Sequence, residues 1–115
     1  TRSHNNRWGK KMKIRDHRDP LGRVVDVFSV YWFGDETYFL GFLKGYGGLM
    51  SYRANQVTII NPEINFNCIY FKESIHHWAL IKEKLLDDLL ELDEIAYKRF
   101  LEIVKAEGLV DPDFY

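Results

Sequence analysis

The chain has 115 residues, 46% hydrophobic and 29% charged, with a formal net charge of −1. That is the length of one domain and the composition of a packed globular protein, which excludes a disordered chain. The single cysteine, Cys68, excludes an internal disulfide framework, and no apolar run approaches the ~20 residues of a membrane span. With no signal-peptide pattern either, a cytoplasmic protein with no membrane association is expected.

The charge is uneven along the chain. Residues 1–72 carry a net +5 and residues 73–115 a net −6. Residues 1–11 hold four basic side chains, no acid and no hydrophobic periodicity. They read as a basic extension, or as sequence upstream of a native start at Met12, and residues 12–115 as a single α+β domain. Without residues 1–11 the net charge is −5, so the protein proper is acidic.

Residues 12–18 suit a short edge strand. Asp19-Pro20-Leu21-Gly22 is a strong turn signal, with Asp, Pro and Gly each at a favoured turn position. Residues 24–33 are rich in β-branched and aromatic side chains and form the first long strand. Gly34-Asp35 turns the chain into a second strand over 37–43. Gly45-Tyr46-Gly47-Gly48 resembles a phosphate-cradling loop only superficially: such loops open a helix, and here strand follows, so a wide hairpin loop is expected. Residues 49–52 and 56–60 form one interrupted strand or two short ones, and residues 65–71 the last strand.

The hydrophobic period then changes from two to 3.6. Ser74 is read as an N-cap, and from Ile75 to Leu92 the apolar residues share one broad helical face. Asp93 is positioned to cap a second helix over 94–107, stopped by Gly108. No Gly or Pro separates the two, so one bent helix over 75–107 is the alternative. Strands first and helices last give an α+β fold: an antiparallel curled sheet of about five strands, an SH3-like half-barrel, followed by two C-terminal α-helices. Both faces of residues 24–33 are apolar, with Val24, Asp26, Phe28, Val30 and Trp32 opposite Val25, Val27, Ser29, Tyr31 and Phe33. Helices cover one face; curling of the sheet, a partner or a second copy in a homodimer must cover the other. Trp78, Leu85 and Leu89 are expected to pack against Phe28, Trp32 or their neighbours on the other face.

No catalytic, cofactor or metal motif is present, and neither cofactor nor metal is expected. Cys68, with Phe66 and Tyr70 at same-face spacing, reads as a buried, inert thiol. His76 and His77 are helical neighbours pointing ~100° apart and do not suit one metal. His77 lies one turn beyond Glu73, as a surface pair. His76, Glu83, Asp87 and Glu91 fall along one side of the expected helix, and Asp88 and Glu94 add charge.

The leading functional expectation is a non-enzymatic binding protein, an immunity-type inhibitor that sequesters a basic, nuclease-like protein. Glu83, Asp87, Glu91 and Glu94 would supply the acidic surface and Tyr46 the aromatic anchor. The alternative is an SH3-like nucleic-acid- or ribonucleoprotein-binding module using Lys13, Arg15, Arg18 and Arg23. A weaker third reading is a small enzyme with its site near Tyr46, Cys68 and His76.

Overall fold

The computed structural model describes residues 11–115; apart from Lys11, the basic extension at 1–11 lies outside the described residues. Among these residues seven strands come first: β1 (Lys13–Asp16), β2 (Val24–Phe33), β3 (Glu36–Phe42), β4 (Leu49–Arg53), β5 (Val57–Asn61), β6 (Cys68–Tyr70) and β7 (Ser74–His77). Three helices follow: α1 (Trp78–Lys82), α2 (Leu86–Leu90) and α3 (Glu94–Ala106). The α+β architecture, an antiparallel sheet followed by C-terminal helices, is the one the sequence implies.

The main path of the sheet runs β4-β3-β2-β1-β5, all antiparallel. A 3-10 turn at Ala54–Gln56 carries the chain from one edge strand, β4, to the other, β5. The sheet therefore curls without closing into a barrel. Asp19-Pro20-Leu21-Gly22 is a turn, closed by the Gly22 N–H donating to the Asp19 carbonyl. At the β2–β3 hairpin Phe33 pairs with Glu36, leaving a two-residue loop. Its first residue, Gly34, takes φ +64°, which glycine tolerates without strain.

β2 is the centre of the molecule. Along one edge β1 pairs with its first part, Val24 to Asp26, and β7 with its second part, Ser29 to Tyr31. A bulge at Phe28 interrupts the pairing with β3. An extra residue shifts the alternation, so strict period two misassigns the faces beyond it. Val25, Val27 and Val30 share one core with Met12, Ile14, Phe39 and Tyr52 inside the curl of the sheet. Phe28 turns the other way, toward the helices, where it packs with Phe42, Leu85, Leu89, Phe100 and Phe114. Phe28, Phe42 and Phe100 meet edge to face, with centroids 5.3 Å apart in each pair. Each such burial is worth about 1.5–3 kcal/mol. Between Val25 and Val30 both faces of β2 are thus covered from within the chain, by curling and by the helices, while Val24, Trp32 and Phe33 at its ends stay exposed. Leu85, Leu89 and partly buried Trp78 join Phe28 as expected, but Trp32 is exposed.

The helical segment departs from the sequence reading at its start and in its middle. Ser74 is not an N-cap. The segment Ser74–His77 is a strand, returned against β6 by a hairpin whose turn residues Lys72 and Glu73 both adopt positive φ, 49° and 60°. That is the two-residue hairpin geometry normally signalled by Asn-Gly, and no such signal exists here. The cap of α1 is His77, whose Nδ1 accepts from the Ala79 N–H at 3.1 Å.

The long first helix is two short ones. After α1, Lys84 takes φ +56°; its N–H donates to the Ile81 carbonyl and that of Leu85 to Leu80. After α2, Leu92 takes φ +63°; its N–H donates to Leu89 and that of Asp93 to Asp88. After α3, Gly108 takes φ +72°; its N–H donates to Lys105 and that of Leu109 to Val104. All three are Schellman terminations. α3 itself runs as the sequence implies, with the Asp93 carboxylate accepting from the Ala96 N–H at 2.9 Å.

Candidate functional site

The break between α1 and α2 dissolves the single side of His76, Glu83, Asp87 and Glu91. His76 lies in β7, Glu83 ends α1, and Asp87 and Glu91 belong to α2 and its C-terminus. Glu83 turns to α3, where Arg99 Nε and Nη2 donate to its two oxygens at 2.7 and 2.8 Å. Those bonds hold its carboxyl below the usual range, so its charge is spent inside the molecule.

The remaining acidic residues converge. Asp87, Asp88, Glu91, Asp93 and Glu94 fall within eight positions spanning α2 and the start of α3, with no basic residue among them. None forms an ion pair among the described residues. Between and beside them, apolar side chains face solvent: Leu90 at 43%, Leu92 at 46% and Ile95 at 81% exposure. The β3–β4 loop is docked against this corner. A methyl group added at Gly48 would lie 2.5 Å from the Leu89 carbonyl oxygen and 2.6 Å from Leu92 Cδ2. Only a residue without a side chain allows that approach. Gly45 and Gly47 give the loop its positive φ of 88° and 87°, and Tyr46 between them is exposed. β4, not a helix, follows the loop, so it has no phosphate-cradling geometry. The structure thus sets Gly48, two residues from Tyr46, against Leu89 and Leu92, and turns Glu83 away from the other carboxylates to Arg99. Leu90, Leu92 and Ile95 complete the surface. Sequence reasoning had placed Leu90 and Leu92 on the buried face of one long helix.

The basic candidates are largely engaged within the chain. Lys13 pairs with the buried Asp26. Arg18 donates through Nε and Nη2 to Asp16, and Arg23 likewise to Asp19. Both carboxyls are held low by these hydrogen bonds and both guanidinium groups are held high. Arg15 Nε donates to the Gly22 carbonyl. The turn at 16–23 is therefore a set of closed pairs more than an open basic patch.

Cys68 is exposed, not buried, because β6 pairs only with β7 and lies at the margin of the sheet. His76 is buried and already engaged: Nδ1 lies 2.7 Å from Ser29 Oγ and Nε2 2.8 Å from Ser74 Oγ. His77 does not pair with Glu73. It is fully buried, and its Nε2 lies 2.6 Å from Glu107 Oε1, while Trp78 Nε1 donates to Glu107 Oε2 at 2.7 Å. The Ala79 N–H occupies His77 Nδ1, so the ring proton sits on Nε2. Burial lowers the pKa of both histidines. Neither ring bonds to Cys68, so Tyr46, Cys68 and His76 form no nucleophile–base pair. Among the described residues no cluster of His, Cys, Asp or Glu could hold a metal ion, and no helix is long and apolar enough to cross a membrane.

Comparison with protein-family models, with curated proteins and with solved structures finds no match.

Proposed function

We propose that the protein binds a basic partner protein through the corner formed by α2, the start of α3 and the β3–β4 loop, and acts by occluding it. An immunity-type inhibitor of a basic nuclease would work in this way. The observation that carries the reading is the corner itself: five carboxylates that form no ion pair among the described residues, interleaved with exposed Leu90, Leu92 and Ile95, with the loop that carries Tyr46 docked there through Gly48. Unpaired carboxylates steer a basic protein and set its orientation, whereas the affinity of such contacts usually resides in apolar and aromatic anchors. The corner supplies both. Gly48, docked against Leu89 and Leu92, anchors the loop that carries Tyr46, which lowers the cost of ordering that loop on binding.

The test uses affinity capture from the source lysate with the wild-type chain and with the triple variant Asp87→Lys, Glu91→Lys, Glu94→Lys. Wild type is expected to retain a basic protein that the variant loses while keeping its thermal stability. With the captured protein in hand, reversal should slow association by about tenfold or more at low salt and flatten its salt dependence. A partner held equally by both chains sinks the reading. So does a random oligonucleotide that binds wild type tightly and releases on loss of Arg15, Arg18 and Arg23.

A further inference from the structure

On the other side of the β3–β4 loop lies a cleft of about 340 Å3 between the turn at 16–23 and strands β2 and β4. Its walls are Val25, Leu43, Met50 and the Tyr52 ring, and its rim carries Asp16–Arg18 and Asp19–Arg23. That is within the size range of small-molecule sites, which join apolar walls to a few convergent polar groups.

The polar groups have one sense. Asp16 accepts from the Arg18 backbone N–H and from the Arg18 guanidinium, and Asp19 accepts from the backbone N–H groups of Leu21 and Arg23 and from the Arg23 guanidinium. Their acceptor capacity is largely used. Each arginine spends Nε and Nη2 on these bonds, so the Nη1 donors of both remain. Tyr52 lines the cleft but is only 2% exposed; its hydroxyl has no hydrogen-bond partner among the described residues and almost no accessible surface of its own, so a ligand reaches it only when side chains around it shift. Burial pushes its phenol up to about 12, so it stays a donor at neutral pH. A buried hydroxyl without a partner is costly and calls for one. What the cleft lacks is an acceptor.

We infer that this cleft binds a small carboxylic acid with an aromatic or branched apolar body, its carboxylate taking the Tyr52 O–H and the Nη1 donors of Arg18 and Arg23. The body fills the space between Val25, Leu43 and Met50, where methionine adapts to irregular shapes. A monoanion suits the lining, whose two arginines and two aspartates already balance; a dianionic phosphate would face both carboxylates. The inference is independent of the acidic corner and of any protein partner.

The probes are 3-phenylpropionate, its neutral amide and 3-phenylpropylammonium, titrated at millimolar concentration into the uniformly 15N-labelled chain. The acid is expected to shift the amide resonances of Val25, Leu43, Met50 and Tyr52 and to bind about tenfold tighter than the amide, since ionised acceptors make the stronger bonds. The ammonium should bind weakest. Tyr52→Phe removes only an unpartnered hydroxyl and should fold as wild type; it should weaken the acid by about threefold to tenfold. Arg18→Gln should reduce the preference for acid over amide. Absence of shifts at the cleft, equal affinity for acid and ammonium, or an unchanged affinity in Tyr52→Phe overturns the inference. A peptide with a free C-terminal phenylalanine carries the same chemistry on a larger body. Tighter binding of that peptide than of the acid would assign the cleft to chain termini and overturn the small-molecule assignment.

Discussion

At the scale of single residues, the two buried histidines set how the fold responds to acid. His76 bridges Ser29 and Ser74, and His77 bridges Ala79 and Glu107, each as a neutral ring. Burial lowers both pKa values; for His77 the Glu107 carboxylate opposes that shift without reversing it. A histidine with a lowered folded pKa leaves stability intact above the unfolded value of ~6.5 and removes it as pH falls from there toward the folded value. The paired carboxyls of Asp16, Asp19 and Glu83 have the same sign at lower pH, below ~4. Asp26, raised chiefly by its burial, opposes them there. Urea midpoints should therefore be lower at pH 5.5 than at pH 7.5. Equal midpoints would show that the rings are not held neutral by the fold.

At the scale of elements, what the sequence revealed and what it hid share a cause. The central hairpin, the Asp19–Gly22 turn, the Asp93 cap and the Gly108 stop all use residue types that favour those geometries. Each was legible. The β6–β7 turn and the ends of α1 and α2 use the same geometries with residues that do not favour them: Lys72, Glu73, Lys84 and Leu92. An apolar pattern with period 3.6 then ran unbroken through a strand end and two helix breaks. The acidic half of the candidate surface was readable because it is contiguous in sequence. Glu83 was misplaced and Leu90 and Leu92 were assigned to the core because both assignments required one helix across Lys84 and Leu92. The bulge at Phe28 likewise left no signature, since the residues around it are apolar on both faces. Lys84 offers a test. It is exposed and holds a left-handed backbone, for which a side chain costs about 1–2 kcal/mol relative to glycine. Lys84→Gly should raise unfolding free energy by about 0.5–1 kcal/mol, because glycine's greater freedom in the unfolded chain returns part of the gain. A loss of stability on denaturant titration would mean that the lysine side chain anchors the break.

At the scale of the whole molecule, the two cores depend on one another through β2. Phe28 enters the core beneath the helices, while Val25, Val27 and Val30 enter the core inside the curled sheet. Leu89→Ala damages only the first and Val27→Ala only the second. Each should cost about 2–4 kcal/mol, the lower part reflecting the smaller valine. Each variant should still unfold in one transition seen identically by tryptophan fluorescence and far-ultraviolet dichroism. Two separated transitions in either variant would show that the sheet and the helical layer are independent cooperative units.

The divided edge of β2 has a consequence for how the molecule opens to solvent. β1 and β7, which hold the two parts of that edge, are far apart in sequence, with β2 to β6 between them. Detaching β7, together with its outer neighbour β6, uncovers amides of the second part and leaves the first sheltered. Detaching β1 with β5 does the reverse. Neither partial opening frees the whole strand, whose opposite edge stays bonded to β3. The β2 amides bonded to β3 should therefore exchange with deuterium at the rate of complete unfolding, while those on the divided edge, and β5 and β6, exchange sooner through local detachment. The most protected part of the chain would then adjoin the proposed cleft at Val25 and include no residue of the acidic corner.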